Sequence, residues 1–486
     1  MLMLSSILIP VLGGMLLPLW RPGNRRTRQD YVLAVSCLTA LLALLAVFTG
    51  TGEEALVLLR LGGHLSVAFR VDGLSAVFAV LVSLLWPLAS LYALEYMSRE
   101  GREDRFFAFY LAAFGVTLGV AFSANIVTMY FFYELLTLAT LPLVMHSMDG
   151  KARYAGRVYL VYSMSGAALG FISMVFLLQY GSGLFALGGG LAAEGVDPNL
   201  LLTAYVLGFF GFGAKAAVFP FHTWLLRASV APTPVTALLH AVAVVKAGVF
   251  AVIRVTWYGF GPDLVRGTWA HGLILAAVIF TILMGSCKAL RTRHLKRRLA
   301  WSTVSNLSYV LLGVALLTPA GLLAGLTHMV FHAVLKITLF FGVGAIHYKM
   351  HRDYVDEIEG CGPLMPVVFA TFTAASLGLM GVPPLAGFSS KWMLATSATA
   401  LAAPLGYLGA AALAVSAVLT ALYLMEIVLL AFFPRQSRAL SVKVPRRARR
   451  DPGVRMLLPL TVLALASIVL GLGASQVVEG LRALIL

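Results

Sequence analysis

Stretches of about twenty apolar residues, with few charges among them, recur from one end of this sequence to the other. No other feature restricts the chain as strongly. A stretch of that length crosses the hydrocarbon core of a bilayer as a helix, because an unsatisfied backbone group costs several kcal/mol there and a helix satisfies its own. Such stretches fall at residues 2–20, 31–49, 71–97, 106–122, 125–147, 155–180, 200–221, 233–259, 269–290, 299–317, 320–346, 364–400, 404–433 and 455–484. The expectation is an all-α polytopic membrane protein of about fourteen transmembrane helices. With 60% apolar and 12% charged residues, the composition excludes an ordinary soluble domain. The first stretch lacks a small-residue cleavage site and is followed by more spans, so it reads as a mature helix rather than a signal peptide.

The net charge of +16 does not point to nucleic acid, because of where the charges lie. Basic residues fall almost entirely in the odd-numbered loops: Arg21, Arg25, Arg26 and Arg28, then Arg99, Arg102 and Arg105, Lys151, Arg153 and Arg157, Arg227, the 291–298 cluster, Lys349 and Arg352, and residues 435–450. Under the positive-inside rule these loops are cytoplasmic, and both termini lie on the outer face of a cell membrane. The longest polar connections are 50–70, 181–198 and the basic loop 434–453. In the first, two runs of β-type residues flank Gly62 and Gly63, which suits a short surface hairpin. Cys37, Cys287 and Cys361 show no paired spacing and read as small core residues.

Few ionisable residues remain inside the spans. Loops use mainly Arg, whereas four of the nine lysines, Lys215, Lys246, Lys336 and Lys391, sit well inside apolar segments. Arg keeps its proton in almost any environment, but a buried Lys can release one. A row of interior lysines can therefore take up and pass on protons. The bland alternative is that they snorkel to an interface or pair with carboxylates to hold helices together; interior carboxylates are too few to neutralise them all. Glu134 stands near the middle of the fifth span, where an isolated acid costs about 2.5–3.5 kcal/mol on insertion scales, so a cationic partner is expected. Lys215, two spans later, is the first candidate. Such a pair works as a switch, since a nearby carboxylate favours the charged lysine and its withdrawal releases the proton.

In the eleventh span His328, His332 and Lys336 follow one another at intervals of four, a single stripe on one helix face. Two histidines so spaced can hold a metal, but Met329 occupies the place of the usual glutamate and no third ligand is evident. A proton relay is the more economical reading. His240 and Lys246 are six positions apart and reach different neighbours. Ser302, Ser305, Asn306 and Ser308 form a polar run that can hold water or pack helices. Two spans are interrupted beside a lysine: Pro220 follows Lys215, and Gly381, Pro383, Pro384 and Gly387 precede Lys391. Discontinuous helices are tolerated where they line a cavity or are buried in protein, and paired breaks five spans apart fit two inverted five-span repeats. Ordinary proline kinks are the alternative.

The segments VDGLSAVF, FFYELL, GAKAAVFPFHTWL with APTPVTALLHAVAVVKAG, LKRRLAWSTVSNLSY, LTHMVFHAVLKITLFFGVGAI and GVPPLAGFSSKW together resemble the antiporter-like subunits shared by respiratory complex I, membrane-bound hydrogenases and Mrp-type Na+/H+ antiporters. The resemblance runs from Asp72 to Phe433. It implies fourteen helices, two inverted five-helix repeats with broken seventh and twelfth helices, and a proton relay of Glu134, Lys215, His240, Lys246, His328, His332, Lys336 and Lys391. The domains so implied are helices 1–3 with the hairpin (1–105), a first repeat (106–259), a second repeat (269–433), and the basic loop with helix 14 (434–486). Tyr133 replaces a common tryptophan, a change expected to matter little, while Arg227 and His294 occupy positions that are usually acidic. Ending after its fourteenth span, the chain looks closer to the shorter complex I type or the D-type Mrp and hydrogenase subunits than to the largest complex I antiporter subunit. The implied partners are antiporter-like and small membrane subunits, with hydrogenase or quinone-reductase subunits in a redox-driven complex; the implied ions are H+ and Na+. No Fe–S or flavin signature is present, so no cofactor, resident metal or catalytic residue is expected in this chain. Two other classes, a membrane enzyme using the histidine pair and a non-transporting scaffold subunit, remain open at this level.

Overall fold

The computed structural model describes residues 1–485 except 21, 51, 53, 63, 64, 182, 192–194 and 435–449, and at residue 61 the backbone alone. Most of the expected basic loop therefore lies outside the described residues, as do Arg21 and Gly63. Among the described residues, eleven helical stretches are long and apolar enough to cross a membrane. Helices α1 (Leu2–Trp20) and α2 (Arg25–Gly50) lead into an antiparallel pair, β1 (Leu56–Gly62) and β2 (Leu65–Phe69). Then come α3 (Gly73–Tyr96), α4 (Glu103–Ala121), α5 (Ile126–Val144), α6 (Gly150–Tyr180), α7 (Pro198–Gly213), α8 (Thr223–Ala228), α9 (Thr233–Ala241), α10 (Val244–Ile253) and α11 (Pro262–Val265). The second half holds α12 (Trp269–Arg291), α13 (Leu295–Ala315), α14 (Pro319–Met350), α15 (Pro366–Met380), α16 (Ala386–Thr399), α17 (Pro404–Phe432), α18 (Val454–Leu472) and α19 (Ala474–Ile485).

Helix starts follow local chemistry. Asp72, Asn125, Asp149 and Thr318 each accept a backbone N–H from the first turn of the helix they precede, satisfying a donor that would otherwise be orphaned. Burial then sorts the helices. The most apolar windows of Thr233–Phe260 and Pro319–Met350 are 100% and 94% buried, against 39% for α1, so α9, α10 and α14 form the interior and α1 the rim. These inner helices also carry most of the interior lysines and histidines.

Four expected spans are not single helices. Residues 200–221 divide into α7 and an irregular stretch that runs on to α8; residues 364–400 divide into α15 and α16. Residues 233–259 divide at Val242 and Ala243 and close on a π-helical turn, Arg254–Phe260. Residues 455–484 divide at Gly473, because α19 alternates polar and apolar faces and does not continue the apolar run of α18. Two cysteines correct their expectation: Cys37 and Cys287 are exposed on the outer faces of α2 and α12, and Cys361 is buried. A thiol is apolar enough for a lipid-facing position, which composition cannot distinguish from a core one.

An ion pair ties α10 to α3. Arg254, fully buried, donates to both carboxylate oxygens of Asp72 at 2.6 and 2.8 Å and to Ser75 Oγ at 2.8 Å. Its guanidinium lies among the rings of Phe185, Phe250 and Tyr258. The two-point geometry fixes the end of α10 against the start of α3.

Candidate functional site

Lys215 lies in the irregular stretch after α7. The helix ends at Gly213, seven residues before Pro220, and Ala217 adopts a left-handed conformation at φ 59°. Proline is therefore not what stops the helix; it keeps the following residues from resuming it. The freed carbonyl of Ala214 accepts from Trp224 Nε1 at 2.8 Å. Gly248 of α10 lets that helix lie directly on the break, since a Cβ there would fall 2.5 Å from the Ala216 nitrogen and 2.9 Å from the Lys215 Cβ.

The Lys215 ammonium stands 3.4 Å from Glu134 Oε1, donates to the Tyr133 carbonyl, and lies over the Tyr133 ring at 3.3 Å from its centroid. Tyr133 is in turn fixed by its hydroxyl on the Phe212 carbonyl at 2.9 Å. Its ring is thus a direct neighbour of the buried ammonium. The two charges differ in access: the Lys215 side chain is 1% exposed and that of Glu134 is 21% exposed. Glu134 opens onto an apolar surface groove of about 360 Å³ between α5 and α6.

On the far side of Lys215, α10 carries Lys246 to α14. Its Nζ stands 2.5 Å from Nδ1 of His332. The rings of His332 and His328 are 6.0 Å apart, and His328 Nδ1 is 3.0 Å from Ser390 Oγ on α16. Next to Ser390, Lys391 donates to the carbonyls of Leu379 and Met380 at 2.7 and 3.0 Å. Those carbonyls are free because α15 ends at Gly381, whose φ of 89° closes the helix and leaves Lys391 as a cation on a helix C-terminus. Pro383 and Pro384 lie in the turn that follows, and Gly387 sits one turn before Lys391 against the Gly378 carbonyl.

Lys336 departs from the single stripe: its Nζ donates to the Leu299 carbonyl of α13 at 3.1 Å. His240 packs its ring on Phe340 at 4.7 Å, and neither ring nitrogen has a hydrogen-bond partner among the described residues. His328 Nε2, His332 Nε2 and Asn306 Oδ1 are buried in the same condition. Ser305 joins Ser286 and Ser416, and Ser302 joins Tyr423, so that part of the polar run binds helices to one another. Glu426, an interior acid by sequence, pairs with Arg293 at 2.5 Å and Arg298 at 2.8 Å and is not in contact with the buried lysines. Beyond the spans, Asp353 accepts from His347 Nδ1 at 2.9 Å; that bond outweighs burial and holds the carboxyl below its usual range.

These features define a class: a polytopic helical membrane protein whose interior carries a file of ionisable side chains at interrupted helices. The family model described as NADH:quinone oxidoreductase/Mrp antiporter, TM matches residues 123–420, and the one described as NADH-Ubiquinone oxidoreductase (complex I), chain 5 N-terminus matches residues 59–107. The chain belongs to this antiporter-like membrane subunit family. It is 30% identical to a probable K(+)/H(+) antiporter subunit from Rhizobium meliloti (strain 1021), covering 98% of this chain and 47% of that protein. It is 33% identical to hydrogenase-4 component B of Escherichia coli (strain K12), covering 67% of this chain and 50% of that protein. The chain spans about half the length of the curated relatives it matches. In fold it is similar to a chain of the Mrp complex from Dietzia sp. DQ12-45-1b, with TM-score 0.83, 24% identity, and 99% and 96% of the two chains covered. It is also similar to a chain of respiratory complex I from Thermus thermophilus, with TM-score 0.81, 23% identity, and 100% and 98% covered.

Proposed function

We propose that the chain moves protons across the membrane as one antiporter-like subunit of a larger membrane complex. The observation that carries this reading is the buried sequence Lys246, His332, His328, Ser390 and Lys391, in which hydrogen-bonded or adjacent polar groups lead from α10, which packs on the Lys215 break, to the break at Lys391. Glu134 acts on Lys215 as the gate. While the carboxylate is near, the ammonium keeps its proton; when the carboxylate turns into its groove, desolvation drives the proton inward. Histidine nitrogens buried without partners require hydrogen bonds, and water is the group that supplies them in a polar interior. Water bridging His240, His328 and His332 completes the path. The fourteen-span count, the two inverted repeats built on the breaks at Lys215 and Lys391, and the cytoplasmic placement of the basic loops belong to the same reading.

The names of the relatives support exchange of H+ for an alkali cation, and the hydrogenase relative supports coupling to a redox partner held in other subunits. The test is reconstitution of the complex with Lys215→Ala or Glu134→Ala, following proton uptake driven by a cation gradient and by redox substrate in parallel. Loss in one mode identifies the driving reaction. Transport unaltered in both variants would sink the relay and leave a scaffold role.

A further inference from the structure

At the basic end of the molecule, away from the interior lysines, α2, α3 and α18 enclose a crevice of about 450 Å³ lined by Arg25, Arg26, Gln29, Leu94, Glu95, Ser98 and Arg455. Three arginines reach it from two helices more than four hundred residues apart in sequence. Their placement runs against helix electrostatics. Arg25 and Arg26 occupy the first turn of α2 and Arg455 the first turn of α18, and neither turn contains an acidic residue. A helix N-terminus is already positive, so these arginines add to the field there rather than offset it.

Acidic groups of the chain cover part of that charge. Arg25 Nε is 3.5 Å from Glu103, and Arg26 Nε is 3.9 Å from Asp30, with both side chains of the latter pair largely exposed. Arg455 donates to the neutral Gln29 side chain. Glu95, the acid on the crevice wall, accepts the Gly453 N–H at 2.7 Å. The crevice lies at the ends of three spans, where the apolar runs of α2 and α18 begin at Tyr31 and Met456. Where an apolar run begins is where a bilayer's headgroups are expected. We propose that this crevice binds the phosphate headgroup of an anionic phospholipid, with Arg26 and Arg455 as its principal ligands and Ser98 as a hydroxyl donor. Basic pockets between helix ends at a membrane surface have the required chemistry, and arginine offers phosphate two parallel donors. The site is independent of the transport reading.

The test titrates dioleoylphosphatidylglycerol, dioleoylphosphatidylcholine and inorganic phosphate separately into the purified full chain in neutral detergent, with binding read by native mass spectrometry. Phosphatidylglycerol is expected to bind saturably and more tightly than phosphatidylcholine. The Arg26→Ala/Arg455→Ala variant should weaken it roughly 25-fold, about fivefold for each arginine. Arg153→Ala/Arg157→Ala removes the same charge from α6 and should leave the affinity unchanged; retained circular dichroism shows that both variants fold. Equal losses in the two variants, or equal affinity for the two lipids, overturns the site. Inorganic phosphate binding as tightly as phosphatidylglycerol overturns its assignment to lipid.

Discussion

Two of the interrupted spans hold a lysine beside a proline-bearing break, and they neutralise it differently. Lys215 faces a carboxylate, a carbonyl and an aromatic ring, and its carboxylate reaches the protein surface. Lys391 is held by two main-chain carbonyls of α15, with the Tyr309 ring 5.6 Å away. A carboxylate on a side chain can move, whereas a carbonyl at a helix end cannot move without unwinding the helix. The proposed gate therefore fits the first break, whose lysine has a movable partner, and the second break, whose lysine is bonded to fixed carbonyls, fits an anchored position. Lys246 and His332 stand between the two.

Cutting the middle should have the largest effect, because it isolates both ends at once. Lys246→Ala is expected to lower proton transport in the reconstituted complex on the order of a hundredfold, the lower end of what a positioned proton-transfer group contributes. If transport continued at the native rate, the two breaks would work separately and the comparison would lose its functional meaning.

Stability sharpens the contrast. Glu134→Gln removes the counter-ion of the buried Lys215, which must then stay charged alone or give up its proton, and should cost about 3 kcal/mol. Lys391→Met removes a charge together with its bonds and leaves two carbonyls less satisfied, a loss of about 1 kcal/mol. Thermal unfolding in detergent at neutral pH measures both, and equal losses would mean that the Glu134 pair is no tighter than a helix cap. Tyr133→Leu falls between them at about 1–2 kcal/mol, from the lost cation–π contact and the hydroxyl bond to Phe212. Tyr133→Phe should recover the ring's share, and failure to do so would assign the whole effect to the hydroxyl.

Much of this is legible in the apolar runs and in the choice of Lys over Arg, because membrane insertion penalises a charge near the middle of a span whatever its partner. The Lys215 and Lys391 breaks can be placed near the right residues from Pro and Gly, but the cause of the first is not the proline: the chain leaves the helix at Gly213, ahead of it. The break between His240 and Lys246 has no sequence signal at all. HAVAVVK contains neither Pro nor Gly, and the interruption at Val242 and Ala243 depends on packing that a linear pattern does not express. Partner choice is hidden for the same reason. Even spacing puts His328, His332 and Lys336 on one stripe, yet Lys336 turns to a carbonyl of α13. The contact of Tyr133 with Lys215 is not legible in the sequence, because a ring beside a glutamate says nothing about the lysine eighty-two positions later that settles on it.

The smallest effect lies outside the membrane and serves as the control for the pair at Lys215. Asp353 also meets a basic side chain, His347, but both groups are about 30% exposed, so solvent screens their attraction. Its carboxyl is held below the ordinary range by the His347 hydrogen bond. A depressed carboxyl contributes stability that is fully present above the unfolded-state value near pH 4 and disappears as pH falls through the folded-state value. Asp353→Asn should therefore melt slightly below the native chain at neutral pH, by about 0.5 kcal/mol, and the two curves should converge in acid. A gap that persisted at the acid end would show that the side chain acts through shape rather than charge. A gap as large as that of Glu134→Gln would show that exposure does not separate surface pairs from buried ones in this fold.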